Sequence, residues 1–463
     1  MNIGDLLARG TERKSTERRA SAMLAATVPS SRTEAPHRPP AGERPLPERL
    51  AASFRKAGEA LSPRELRQLL EQLQAIVDPR VSEVEGGRRA KALEAWYAGA
   101  EPAARRDLWL LMSEQFMADP EKVRQAQAQY AATVGTPDEA AAEVLYRRAT
   151  VSPRRRVLQR FSADEDGIRF LVDMRGEMQP FLKGDARLRA LDVEMEYMFS
   201  TWFDVGFLEL RRISWDSPAS LVEKLIRYEA VHDIRSWADV KNRLDSDRRC
   251  YGFFHPRLPG EPLIFVEVAL TDHVAGSITP LLDETAAPSD LARATTAIFY
   301  SISNTQPGLR GVSFGDSLIK QVVQTLKDEF PRLKVFATLS PIPGLRAWMN
   351  CVAPAGLMAR LDDPLALGPR APERAELLAW AARYLGRELD DGKPLDPVAR
   401  FHLGNGARVE RLNWAGDPSA KGLRQSFGLM VNYLYDLRRL DRHRAMLARG
   451  EIPISGDIEA LYR

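Results

Sequence analysis

Arg310-Gly-Val-Ser-Phe-Gly315 sits between a strand and a helix, and its reading decides the fold. Ahead of it, Ala294-Thr-Thr-Ala-Ile-Phe-Tyr-Ser-Ile-Ser303 is rich in β-branched and aromatic residues and predicts a strand. Behind it, Leu318, Ile319, Val322, Val323 and Leu326 fall on one apolar helix face, and Pro331 ends that helix. Leu333 to Leu339 predicts a second strand. Strand, glycine-bearing turn, helix and strand together leave backbone N–H groups at a helix N-terminus, a place suited to phosphate or pyrophosphate. Two glycines before an amphipathic helix also serve as plain turn chemistry, so both readings stand at this point.

On the N-terminal side the pattern is helical from residue 46 to 203. Ser62-Pro63-Arg-Glu65 offers an N-cap with proline in the first turn, followed by Leu66, Leu69, Leu70 and Leu73. Amphipathic stretches recur at 90–98, 103–117, 121–132, 137–148, 154–161, 167–174 and 187–203. Arg154-Arg-Arg156 reads as a solvated helix start. Residues 1–45 read as a disordered or extended leader, since 29–47 hold six prolines and no apolar periodicity. The leader's Arg and Ser content resembles a transit peptide, but Asp5, Glu12 and Glu17 argue against one.

From residue 204 to 463 the texture becomes mixed. Strands are predicted at 251–254, 263–270, 295–303, 333–339 and 409–414, with further helices at 377–384 and 426–439. The fold class is therefore α+β in two domains, an all-α helical bundle followed by a mixed α/β sheet.

Composition narrows the function. With 463 residues, 44% hydrophobic and 28% charged, the chain is an ordinary globular protein with room for two or three domains. Its 66 basic residues are nearly matched by 63 acidic ones, so a nucleic acid has little electrostatic hold. Cys250 and Cys351 are too few for a disulfide framework, which favours a reducing compartment, and the six scattered histidines predict no metal site. No apolar run approaches the ~18 residues of a membrane span.

Two polar residues stand out in stiff or glycine-rich settings. Ser340, in Leu339-Ser-Pro-Ile-Pro-Gly344, is predicted as the first residue beyond a strand, with Pro341 fixing the backbone after it. It suits a hydrogen-bonding role, or equally the cap of a turn. His402, in His402-Leu-Gly-Asn-Gly-Ala407, is predicted in a glycine-rich turn, as a site residue or a turn hydrogen bond. Lys421-Gly-Leu-Arg-Gln-Ser426 suits an anion ahead of a helix carrying Tyr433 and Tyr435, two tyrosines that also suit a core.

Arg310, Ser313 and Gly315 fit the Arg/Gln-x-x-Gly-x-Gly/Ala pyrophosphate loop of N-acetyltransferase-like (GNAT) folds, with Ser313 at the first glycine position. A longer ordered set resembles malonyl-CoA decarboxylases. It runs through Tyr228-Glu-Ala-Val-His232, Arg248-Arg-Cys-Tyr251, Pro259-Gly-Glu-Pro262, Ser301-Ile-Ser-Asn-Thr-Gln306 and Gly308-Leu-Arg-Gly-Val312. It continues through the Ser340 and His402 segments to Asn413-Trp414 and Gly428-Leu-Met-Val-Asn-Tyr433-Leu-Tyr435.

That resemblance implies a helical oligomerisation domain and a catalytic GNAT-like domain converting malonyl-CoA to acetyl-CoA and CO2 through a thioester enolate. It implies no metal, biotin or other cofactor, the CoA thioester being the substrate. It implies catalytic roles for Ser340, His402 and Tyr435, with His402 supplying a proton near neutral pH. CoA contacts are implied along Arg310, Gly311, Val312, Ser313, Phe314, Gly315 and Asp316, and Asn304 is a candidate supporting donor. A homo-oligomer, dimer or tetramer, is expected, with no nucleic-acid or membrane partner. Some relatives carry an acidic residue where this chain has Ser313. Some also end in a peroxisomal tripeptide; this chain ends Ala-Leu-Tyr-Arg463, which predicts the cytosol. The alternatives are a CoA-dependent acyltransferase of the same fold and a non-catalytic acyl-CoA sensor.

Overall fold

The computed structural model describes residues 43–312 and 318–462. Almost all of the expected leader lies outside the described residues, as do Ser313, Phe314, Gly315 and Asp316 of the central turn.

Helices come first: α1 (Leu46–Ala51), α2 (Pro63–Val77), α3 (Glu83–Gly99), α4 (Pro102–Glu114), α5 (Pro120–Thr133), α6 (Glu139–Thr150), α7 (Pro153–Phe161), α8 (Gly167–Met178) and α9 (Arg189–Trp202). Helix α2 starts where its sequence predicts. The Ser62 hydroxyl accepts from the Glu65 N–H at 3.3 Å, and the Glu65 carboxylate accepts from the Ser62 N–H at 2.7 Å. Leu66, Leu69, Leu73 and Ile76 then form its buried face, each such side chain contributing roughly 1.5–3 kcal/mol on burial.

The Arg154 run departs from the expected solvated start. Arg154 is buried, its Nε donating to the Phe116 carbonyl at 3.3 Å, and Arg155 pairs with Glu194 at 2.7 Å. The chain before α7 passes against the end of α4, where the Phe116 carbonyl needs donors. Helices α5 and α6 form a hairpin that stands off the body. Helix α5 buries none of its residues and α6 only Ala142, and the Tyr130 and Tyr146 rings stack between them.

The second half is built on strands β1 (Glu209–Ile213), β2 (Arg248–Phe254), β3 (Pro262–Thr271), β4 (Thr296–Asn304), β5 (Val335–Thr338), β6 (Ser340–Pro341), β7 (Leu389–Asp390), β8 (Lys393–Pro394), β9 (Arg408–Asn413) and β10 (Met430–Leu434). Strands β7 and β8 form a separate hairpin. The main sheet runs β1-β2-β3-β4-β5-β10-β6, with β9 paired to β10. Strands β4 and β5 are parallel and every other pair is antiparallel. This is a mixed sheet with helices, as the sequence predicts. Strands β2 and β3 are buried along their whole length, and their predominantly apolar sequences fit that, although Arg248 and Arg249 of β2 and Glu267 of β3 are buried with them. Strand β1, missed along with the two-residue β6, β7 and β8, is a charged edge with Arg211 and Arg212, without the alternation that marks a half-buried strand.

Helices α10 (Ala219–Tyr228) and α11 (Trp237–Arg243) precede β2, and α12 (Leu318–Glu329) makes the crossover from β4 to β5. Then come α13 (Leu345–Val352), α14 (Ala355–Arg360), α15 (Pro372–Arg387), α16 (Pro397–Gly404), α17 (Ala420–Ser426), α18 (Leu440–Ala448) and α19 (Gly456–Ala460). The helix predicted over 426–439 is overturned. Helix α17 stops at Ser426 because Phe427 and Gly428 take successive left-handed backbone angles (φ 57° and 78°), and Met430–Leu434 leaves them as a strand. One apolar core, including Leu171 and Val172 of α8 with Leu309 and Val312, joins the two halves. Among the described residues no helix is long and apolar enough to cross a membrane.

Candidate active site

Three elements converge behind β4. Strand β6 carries Ser340, whose Cα pairs with Val431 of β10; Ser340 is thus held in the sheet rather than lying beyond it. Helix α16 carries His402 in its last turn, which corrects the expected glycine-rich turn. Asp396 caps that helix, accepting from the Val398 and Ala399 N–H groups at 2.9 and 3.0 Å, and Pro397 takes the first helical position. The Asp396 carboxylate also accepts from the Gly344 N–H at 3.3 Å, tying the helix of His402 to the loop after Ser340.

The extended chain of β10 puts Tyr433 and Tyr435 on the same face, two residues apart. Their rings meet His402 from two sides. Tyr433 stacks on the imidazole with centroids 4.7 Å apart, and the Tyr435 hydroxyl lies 2.7 Å from His402 Nδ1. His402 Nε2 is 3.2 Å from Ser340 Oγ, and Ser340 Oγ is 2.9 Å from Thr338 Oγ1. Thr338 in turn accepts from the Tyr433 backbone N–H at 3.0 Å.

Burial decides the charge of this group. It pulls the His402 pKa down to about 3, so the imidazole is neutral across the physiological range. Burial likewise raises the Tyr435 phenol above its ordinary value, keeping it a proton donor.

Ser340 and His402 open onto a cavity of about 210 Å3, whose walls include Val231, Phe299, Ile302, Pro341, Val398 and Phe401. Ser301 and Asn304 also line it, so Asn304 reaches the same space as the pair. The Val231 wall is tightly held. The Glu229 carboxylate accepts from the Val231 and His232 N–H groups and from the Ser301 hydroxyl, each at 2.8 Å. Lys421 Nζ donates to the Ala230 and Val231 carbonyls at 2.8 Å each. Lys421, expected to meet an anion, is instead spent on backbone.

Arg310, Gly311 and Val312 do not line this cavity. They belong to the turn after β4, which docks on α8. Arg175, buried and paired with Asp192 at 2.8 Å, donates Nη1 to the Gly308 and Arg310 carbonyls at 2.8 and 2.9 Å. Gly308 approaches α8 so closely that a Cβ there would overlap the Val172 carbonyl. Arg310 is exposed, and Gly311 adopts a left-handed φ of 84°. Among the described residues no three His, Cys, Asp or Glu side chains are grouped to hold a metal.

The family model for the malonyl-CoA decarboxylase C-terminal domain matches residues 206–463, and that for the N-terminal domain matches 116–203. The chain belongs to the malonyl-CoA decarboxylase family. It is 35% identical over 398 residues to a mitochondrial malonyl-CoA decarboxylase of Anser anser anser, covering 76% of this chain and 78% of that protein. The Rattus norvegicus mitochondrial enzyme is 36% identical over 387 residues, covering 74% and 78%. The crystal structure of malonyl-CoA decarboxylase from Rhodopseudomonas palustris superposes with a TM-score of 0.77 at 40% identity, covering 85% of this chain and 99% of that one. That from Agrobacterium vitis gives 0.76 at 40% identity, covering 86% and 100%.

As a member of this decarboxylase family the chain is a carboxy-lyase. Thr338, Tyr433, Asp396, Glu229 and Arg175 are not singled out as site residues by the sequence. Asp396-Pro397 is legible there only as a helix start. The other four become visible when the sheet brings distant segments together.

Proposed function

We propose that the chain decarboxylates malonyl-CoA to acetyl-CoA and CO2 through a thioester enolate, with Ser340, His402 and Tyr435 as its catalytic group. The observation that carries this reading is the 3.2 Å approach of Ser340 Oγ to His402 Nε2 at the wall of an otherwise largely apolar cavity.

The malonyl carboxylate must stay ionised while its C–C bond breaks. The Ser340 hydroxyl holds it by hydrogen bonding, and the apolar wall favours release of neutral CO2. The electron pair passes to the thioester, whose carbonyl is its sink, so the step calls for neither metal nor biotin. A neutral imidazole suits the protonation that completes the reaction: its Nε2–H donates to the developing enolate oxygen and then gives its proton to Cα. The Tyr435 hydroxyl at Nδ1 is the path by which that proton is replaced. Serine forms no covalent intermediate.

The CoA diphosphate is assigned to the turn beginning at Arg310, supported by the exposed guanidinium and the left-handed Gly311. The helical half is assigned to subunit packing, supported by the hairpin of α5 and α6 with its exposed Val134, Val144 and Leu145. The deciding experiment incubates purified protein with malonyl-CoA alone and weighs the CoA products by mass spectrometry. Conversion to acetyl-CoA that is lost in Ser340→Ala and His402→Ala is expected. Unchanged malonyl-CoA from folded, CoA-binding protein rejects the assignment.

A further inference from the structure

We propose that the helical half carries a second binding site, a cleft at the start of α7 that takes a phosphate monoester with an apolar organic part. The cleft shares no residue with the catalytic cavity, and the proposal stands apart from the decarboxylase reading.

The cleft encloses about 630 Å3, three times the space beside Ser340 and a size common to small-molecule sites. Arg155, Arg156 and Arg160 of α7 line it, and Glu83 of α3 is the one carboxylate among its described walls. Residues 156 and 160 stand one turn apart on the same helix face.

Each arginine has donors to spare. Arg155 is fixed through Nε, which donates to Glu194 at 2.7 Å, and its guanidinium lies 4.8 Å from the centre of the Tyr197 ring. Its Nη groups meet no acceptor among the described residues. Half-buried Arg156 makes no hydrogen bond or ion pair among them. Its charge is felt by the Asp78 carboxylate, but that group is held by Arg80 at 2.7 Å.

Arg160 decides the matter. It is only 7% exposed, its Nε is buried without an acceptor among the described residues, and its Nη1 reaches Glu83 at 3.5 Å. The Glu83 side chain is 93% exposed, so water screens that pair. A buried guanidinium with an unmet donor is costly unless a ligand meets it. Gly86 of α3 supplies its room, since a Cβ there would come within 3.2 Å of Arg160 Nε.

Guanidinium forks match phosphate oxygens in pairs, and the N-terminal end of α7 adds to the same positive field. Val77, Val151, Pro153 and Ala163 complete the walls with apolar surface, which suits the organic part of an ester.

The test titrates the full chain with phenyl phosphate by calorimetry at pH 8, where the ester is a dianion. Saturable binding is expected, weakened at least about tenfold in Arg156→Gln and in Arg160→Gln through loss of a charge-assisted contact. Inorganic phosphate should bind about tenfold more weakly than the ester; equal affinity overturns the assigned organic part. In Arg156→Gln, KM for malonyl-CoA should stay within about twofold. No binding by the parent chain overturns the proposal. So does equal binding in both variants, or a loss confined to Arg310→Ala, which would put the phosphate on the CoA turn. Variants that change the sedimentation coefficient but not the affinity overturn it too and give the cleft to subunit packing. Phenylglyoxal modification of the unaltered protein, located by peptide mass spectrometry, needs no variant to fold. Saturating phenyl phosphate should slow the reaction of Arg156 at least about threefold and spare the exposed Arg88; an unchanged rate at Arg156 overturns the proposal.

Discussion

His402 combines a chemical role with a cost in acid. Its buried imidazole has a pKa of about 3, whereas the unfolded chain titrates near 6.5. Between those values the unfolded state binds a proton that the folded state refuses. Stability therefore declines as pH falls from about 6.5 toward 3, by up to about 1.4 kcal/mol per pH unit from this residue. His402→Gln should flatten that dependence, read as a smaller loss of Tm between neutral and mildly acidic buffer; an unchanged slope would mean that the imidazole protonates in the folded state. Catalysis should respond differently. His402→Ala should lower kcat by roughly 10²–10⁴ while KM for malonyl-CoA changes little, because proton transfer comes after binding. A matching loss of substrate affinity would reassign the residue to binding.

Between elements, the contact that matters most is the turn after β4 lying on α8. Arg175 supplies the donors for two carbonyls of that turn, which fixes the direction in which Arg310 leaves it. Arg310→Ala should raise KM for malonyl-CoA by about tenfold with kcat nearly kept, the signature of a lost contact to a phosphate-bearing ligand. Arg175→Met should raise KM in the same direction without touching the ligand, and steady-state kinetics on both variants checks the pair. An unchanged KM in Arg310→Ala removes the turn from the CoA site.

Much of this element-scale order was legible. Strand β4, helix α12 and strand β5 follow from β-branched content and helical apolar spacing, and the Ser62 capping box is written in four consecutive residues. The stretch 426–435 was not legible in the same way. Its apolar residues suit either period, and the decision falls to two left-handed residues, one of them the bulky Phe427, which sequence preference disfavours there. That one misreading hid the geometry of the site. On a helix Tyr433 and Tyr435 would diverge, but on a strand they meet the same imidazole.

For the whole molecule, the hairpin of α5 and α6 exposes apolar side chains. Val144 and Leu145 are each 46% exposed on α6. The pair Val144→Glu and Leu145→Glu should dissociate the expected oligomer, seen as a smaller sedimentation coefficient, with secondary structure unchanged because neither residue supports the core. An unaltered oligomer would move the subunit contact to another surface.

The seam at Gly308 bears on how such chains can be recombined. The two family models part between residues 203 and 206, a natural crossover point for building hybrids. Yet the bare backbone of Gly308 fits only against a helix whose Val172 carbonyl and Gly176 stand where they do here. A hybrid that takes its helices from one relative and its sheet from another inherits both sides of that fit only if the pair travels together. Residues 172, 176 and 308 thus form one heritable unit split across the boundary, and chimeras should be ranked by that match before overall identity.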